Sequence, residues 1–403
     1  MNLNFTIKKN EILFNCGCSI PINHKVLQKH GKKIEDYENG DVLPNCGIDI
    51  KYEKINKNCP EVWKMLARGC TKGVFQLESQ LGKQWTKRLR PTSIEHIGAL
   101  GAILRPGCLE CLDEEGISTT EHYCARKNKE EVSEIFHPSM IPALEKTYNV
   151  MIYQEQAMKL SELIAGFNLQ EADMLRKAIG KKLPEEMAKC KKMFIEGAKK
   201  LGVVTEQEAE IIFDMIEKSQ RYSFNKSHAF SYGVMGYWTA YAKAHFPLRF
   251  FTSWLRFSSE KQHPLEEIRE LVDECKLLDI EVLTPKLQDL KKHFYIDGEK
   301  IRFGLSDIKG IGESQVDKIR VAIKQAEEYL QKPFSHFSWY DFVLVASDKI
   351  SVPAITNLIS VGAIQYGKYE SNRNASGVQS LDNSNRRRKE VDSGEKKQLS
   401  LFD

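Results

Sequence analysis

Apolar residues recur at helical spacing through 232–251, and a helix there should stop at Pro247, whose ring cannot continue it. The aromatic stripe of this segment, with Tyr237 and Tyr241, reads as core rather than as a platform for stacked bases. Residues 140–220 read as a run of helices. One starts at Tyr153-Gln154-Glu155-Gln156 and should end at Ala165-Gly166, where glycine is a stop signal. The next places Arg176 and Gly180 on a shared face, and Lys177 and Lys181 likewise. Phe75 to Ser79 reads as a helix start, followed by a basic helix-like run from Lys83 to Arg90.

Strand patterns are few. Phe5-Thr-Ile-Lys8 and Ile12-Leu-Phe-Asn15 predict a hairpin, and a second strand–turn–strand pattern is centred on Asp297-Gly298. Further on, a short helix, the turn Gly310-Ile311-Gly312 and a second helix fit a helix-hairpin-helix. Its glycines would bring backbone N–H groups up to DNA phosphates without reading sequence. Residues 367–397 are Asn, Ser, Gly and charge, including Arg386-Arg-Arg-Lys389, a composition that predicts disorder. Gln398, Leu399, Leu401 and Phe402 follow, apolar residues with no core to join, suited to docking in a partner's groove.

Composition narrows the class. The 403 residues allow two or three domains. No window approaches 18 apolar residues and the N-terminus has no apolar signal region, so neither a membrane span nor secretion is expected. Ten cysteines in a long, lysine-rich chain read as reduced thiols. Cys16-Gly-Cys18, with Cys46 and Cys59, are weak candidates for Zn2+; ordinary cysteines in a turn are the plainer reading, because the Cys-x-Cys spacing is tight. The net charge is only +4, yet 176–200 alone holds nine Lys or Arg against three Glu. That local excess points to a polyanion or triphosphate; a solvated face is the plainer reading. Tyr222-Ser-Phe-Asn225-Lys226-Ser227-His228 gathers a phenol, an amide, an ammonium, a hydroxyl and an imidazole where a loop should enter a helix. Free N–H groups and the positive helix end favour phosphate there; a polar N-cap is the alternative.

Gly73-Val-Phe-Gln-Leu-Glu-Ser79, Leu104-Arg-Pro-Gly107, Tyr153-Gln-Glu-Gln156, Ala172-Asp-Met-Leu-Arg-Lys-Ala-Ile-Gly-Lys-Lys182 and Phe224-Asn-Lys-Ser-His228 occur in this order. They resemble the fingers region of C-family DNA polymerases, the bacterial polymerase III alpha subunits. Residues 285–366 look like that family's tandem helix-hairpin-helix domain, with Val361-Gly-Ala-Ile364 similar to its closing motif, and 398–402 look like a sliding-clamp-binding peptide. The resemblance implies a mainly α protein: a small β-rich piece over 1–60, helical fingers over 61–284, the DNA-binding domain, a basic linker and the clamp peptide at 398–403. It implies triphosphate contacts for Arg176, Lys177, Lys181, Tyr222, Asn225, Lys226, Ser227 and His228. It implies DNA contacts for Arg105, Lys309, Gly310 and Gly312. The family usually has Arg-Arg where this chain has Arg176-Lys177, and lysine lacks the forked contact.

The family's palm uses three aspartates to hold two Mg2+ ions, and no Asp-x-Asp precedes Phe75 here. The expectation is therefore a part of a replicative polymerase that binds dNTP, primer-template DNA and the clamp in the cytoplasm of a bacterial or virus-infected bacterial cell. It would be inactive alone, with a palm-bearing chain supplying the chemistry. The alternatives are a non-catalytic, clamp-tethered DNA-binding protein and an inactive fragment.

Overall fold

A computed structural model describes residues 5–8, 11–22, 55–181, 183–219, 223–338, 340–342 and 350–364. Tyr222, Cys46, the 367–397 linker and the clamp peptide residues Gln398, Leu399, Leu401 and Phe402 lie outside them. The chain folds as two compact units, Asn2–His245 and Phe246–Asp403. No helix among the described residues is long and apolar enough to cross a membrane.

The first unit opens with the expected hairpin. Strand β1 (Phe5–Lys8) pairs antiparallel with β2 (Glu11–Phe14), with Lys8 opposite Glu11, and β3 (Ser19–Pro21) adds to the other edge of β2. Helix α1 (Pro60–Ala67) follows. Here the sequence reading needs correction, because 75–78 is turns and not a helix start. Gln76 has a φ of 65°, and the helix α2 (Gln80–Leu89) begins only after Ser79, whose hydroxyl accepts from the Gly82 N–H at 3.0 Å. Next come α3 (Ile94–Ile103) and α4 (Thr119–Lys127).

The run of helices over 140–220 is present. It comprises α5 (Gln154–Ala165), ending on Gly166 at φ 65° as its sequence predicts, α6 (Leu169–Lys181), α7 (Pro184–Leu201) and α8 (Glu206–Ser219). Asn168 and Glu171 cap α6 reciprocally: the Asn168 Oδ1 accepts from Glu171 N–H at 3.1 Å, and Glu171 accepts from Asn168 N–H at 2.9 Å. The four helices share a core of Leu160, Ile164, Leu175, Phe194, Ile212 and Phe213, all fully buried.

Helix α9 (Lys226–His245) closes the unit. Its aromatic stripe is core, as expected: Tyr237 is 0% and Tyr241 1% exposed. It crosses α3 closely. A Cβ on Gly233 would lie 2.8 Å from the Gly98 nitrogen, and one on Gly98 would lie 2.9 Å from the Ala229 carbonyl oxygen. Neither position has room for a side chain. The buried Lys243 ammonium donates to the carbonyls of Cys70 (3.1 Å) and Lys72 (2.7 Å), and Thr239 Oγ1 accepts from Phe75 N–H at 3.0 Å. The turns of 70–75 are thus pinned to α9.

In the second unit, Pro247 does end α9, and it also sits in the first turn of α10 (Pro247–Phe257), where its missing N–H costs nothing. Then come α11 (Pro264–Leu277), β4 (Val282–Leu283), β5 (Tyr295–Asp297), β6 (Lys300–Arg302), α12 (Glu313–Leu330) and α13 (Val352–Ser360). The Asp297-Gly298 hairpin pairs β5 with β6, and β4 pairs parallel with β6. Leu305, Ile308, Ile311, Val316, Ile319 and Leu358 are among its core residues. The sequence reading placed a short helix before Gly310; 305–310 is bends and turns instead.

Candidate nucleotide and nucleic-acid interface

The polar cluster sits where expected, at the start of α9, but several of its donors are already engaged. Asn225 is the cap: its Oδ1 accepts from His228 N–H at 2.8 Å and from the Ser227 hydroxyl at 2.7 Å. Glu155, in the first turn of α5, accepts from Lys226 N–H at 2.9 Å and from Asn225 Nδ2 at 3.1 Å. A carboxylate therefore occupies the positive helix end that the sequence reading left free for phosphate. The N-cap alternative describes these contacts correctly.

Three further segments meet this helix start. Phe224 pairs with the strand-like turn before α5: its N–H donates to Ile152 C=O at 2.9 Å, and its C=O accepts from Gln154 N–H at 3.0 Å. The Arg105 guanidinium stacks 3.8 Å from the Phe224 ring centroid. The Lys226 ammonium lies 5.9 Å from the Tyr153 ring centroid. His228 packs 4.1 Å from the Tyr232 ring and edge-on to Phe224 at 5.4 Å. Gly180, on α6, faces the same turn: a Cβ there would meet Gln154 Nε2 at 3.6 Å, an ordinary contact. Arg105, assigned from sequence to DNA, thus joins the 224–228 cluster.

On α6, Arg176 and Lys177 share one partner. Asp173 Oδ1 accepts from Arg176 Nε at 2.9 Å, and Asp173 Oδ2 lies 2.8 Å from Lys177 Nζ. Lys177 and then Arg176 hold the Asp173 carboxyl below the usual range, so it stays ionised at neutral pH. Lys181, the last residue of α6, is exposed.

The Gly310 turn has the shape its sequence predicts. Gly310 has a φ of 84°, Ile308 and Ile311 point into the core, and Lys309, Gly310 and Gly312 are exposed. Asn357 on α13 donates to the Lys309 carbonyl at 2.9 Å and closes the turn from behind. The Gly312 N–H already donates to Gln315 Oε1 at 3.3 Å, so a phosphate would have to displace that amide.

Of the thiol candidates, Cys16, Cys18 and Cys59 come together, joined by His245, which sequence reading missed; Cys46 lies outside the described residues. Glu155 and Asp173 were also missed as site residues. Asp173 had a signal, lying three and four residues before its cations. Glu155 had none, being 70 residues from Asn225. Among the described residues no carboxylate set has the geometry of a two-Mg2+ centre.

The model of the bacterial DNA polymerase III alpha subunit finger domain matches residues 29–202, ending before the 222–228 cluster. A helix-hairpin-helix motif model matches 279–375. DNA polymerase III subunit alpha of Aquifex aeolicus is 39% identical over 324 residues, covering 80% of this chain and 26% of that protein. The Thermus aquaticus protein of the same name is 36% identical over 327 residues, covering 79% and 25%. That of Escherichia coli K12 is 40% identical over 262 residues, covering 63% and 22%. The chain spans about a quarter of the length of the curated relatives it matches. The two domain models and the relatives agree with the motifs, and the chain belongs to the bacterial DNA polymerase III alpha family, whose finger and helix-hairpin-helix parts it carries.

Proposed function

We propose that this chain is the nucleotide- and DNA-gripping part of a replicative DNA polymerase, with its catalytic carboxylates lying outside these 403 residues. One observation carries the reading: Arg105, the Tyr153–Glu155 turn, Gly180 at the end of the basic helix and the Asn225–His228 cluster converge on one surface. Arg176, Lys177, Lys181 and Lys226 supply the positive charge for a triphosphate, and Asn225, Ser227 and His228 supply polar tips. Tyr222 and the clamp peptide belong to the same reading. The Lys309–Gly312 turn grips DNA phosphates, a contact that tolerates any sequence. A palm-bearing chain holds Mg2+ and joins the nucleotide to the primer, in the cytoplasm of a bacterial cell.

A second reading has an observation of its own. Asp173 and Glu155 already neutralise the cations and the helix end, as in a protein that uses this surface only for structure. That version would bind DNA and clamp without nucleotide. Titration with dNTP separates the two. Polymerase function predicts saturable binding, at least ten-fold weaker in Arg176→Ala and Lys226→Ala, and primer extension when a palm-bearing chain is added. No nucleotide binding together with intact DNA binding would leave the second reading standing.

A further inference from the structure

The thiols that the nucleotide surface does not use form a pocket at the far end of α9. Cys16 and Cys18 flank the tight turn between β2 and β3. Gly17 adopts a φ of 81° there, and Phe14 N–H donates to Cys18 C=O at 2.8 Å. Cys59 is the residue before α1, and His245 is the last residue of α9. Their four donor atoms all lie within 4.8 Å of one another. Cys59 Sγ is 3.8 Å from Cys16 Sγ and 3.3 Å from His245 Nε2. A tetrahedron with Zn–S bonds of about 2.3 Å and Zn–N bonds of about 2.0–2.1 Å has S–S edges of roughly 3.8 Å and S–N edges of roughly 3.6 Å. The Cys16–Cys59 separation of 3.8 Å equals such an edge, the Cys59–His245 separation of 3.3 Å is slightly shorter, and the remaining donors lie within 4.8 Å.

We propose that Cys16, Cys18, Cys59 and His245 hold one structural zinc ion. Three thiolates and an imidazole are a soft donor set that suits zinc. Cys18 is 2%, Cys59 0% and His245 3% exposed and Cys16 is half-buried, and four protein donors fill a tetrahedral ion's coordination, leaving no position for substrate. Outer contacts orient the ligands. Asn56 Nδ2 donates to Cys18 Sγ at 3.4 Å, and the His245 ring is held between Phe14 (4.4 Å) and Tyr241 (4.2 Å). The Tyr237 hydroxyl accepts from Cys59 N–H at 3.2 Å and donates to Asn56 C=O at 2.6 Å, fixing the turn that carries both. On binding, the three thiols release their protons to solvent. The ion ties a β-turn, a helix start and a helix end into one knot, independently of any nucleotide chemistry.

The test is metal content of the full chain, purified untagged under reducing conditions without chelator. One zinc per chain by plasma mass spectrometry is expected, and cobalt substitution should give the intense thiolate charge-transfer and tetrahedral ligand-field bands of a three-sulfur site. Cys59→Ser and His245→Asn should each lose the metal. Cys46→Ser, and Cys190→Ser at a buried thiol elsewhere, should keep it. Absence of both stoichiometric zinc and the cobalt spectrum in the unmutated chain overturns the proposal, whether or not any variant folds. So does a Cys16–Cys59 disulfide in the reduced preparation, or zinc that survives His245→Asn but is lost in Cys46→Ser.

Discussion

At the scale of single residues, the surface proposed for nucleotide is lined by two carboxylates, Asp173 against Arg176 and Lys177 and Glu155 at the start of α9. Asp173 is half-buried and ionised at neutral pH, so on the proposed reading it would compete with a triphosphate for Arg176 and Lys177. Removing that competitor should help: Asp173→Asn is expected to tighten dNTP binding several-fold, read by titration, and to do so less as salt rises. Asn225→Ala should instead remove a cap worth about 1 kcal/mol and lower the melting temperature. His96 offers a pH test. Its Nδ1 accepts from Thr92 N–H at 3.1 Å, so the neutral ring carries its proton on Nε2, 2.6 Å from the Tyr148 hydroxyl. Burial, then nearby Lys127, draws its pKa to about 4 from an ordinary value of 6.5. The folded state thus resists a proton that the unfolded chain accepts. Its contribution to stability is complete above pH 6.5 and is lost progressively as pH falls towards 4. Denaturant titrations at pH 6.5 and 4.5 should show a smaller loss in His96→Gln than in the parent, whatever the absolute stabilities.

At the scale of elements, what was legible had a local cause. The β1–β2 hairpin follows from alternation around a tight turn, the end of α5 from Gly166, and the end of α9 from Pro247. What was not legible had distant partners. Strand β4 is two residues long and pairs parallel with β6, with β5 lying between them in sequence, so its own sequence has no period to show. The turn before Gly310 contains buried apolar residues at helix-like intervals, but Asn357, 48 residues away, is what closes it. The α3–α9 crossing is of the same kind, since Gly98 and Gly233 look unremarkable until the backbones meet. Gly233→Ala should cost about 1–3 kcal/mol through overpacking and lower the melting temperature, because the atoms in the way are backbone.

At the scale of the whole molecule, family membership was readable because five short motifs fall in order, although no single one is decisive. The site was only half readable. The sequence marks the cations, the polar cluster and, three and four residues before its cations, Asp173, whereas Glu155 is 70 residues from Asn225 and His245 is 186 residues from Cys59. Two assays address the molecule as a unit. Deleting 398–402 should abolish clamp binding in a pull-down while leaving the melting curve unchanged. The logarithm of DNA affinity should fall linearly with the logarithm of salt concentration, with the same slope for unrelated sequences, as backbone contacts require.

Helix α9 has one further consequence. It runs unbroken for 20 residues, about 30 Å at the usual rise per residue. Asn225 stands just before its first turn, His245 is its last residue, and the glycine crossing with α3 fixes its middle. Such a rod sets both the spacing and the angular phase of its two ends. One inserted residue would turn either end by about 100° relative to the other. The segment 226–245 is therefore a ruler of fixed length. Insertions and deletions should be tolerated in the loops around it and nowhere within it, and a single alanine inserted after Gly236 should misplace His245 or the Asn225 cluster, whichever end yields.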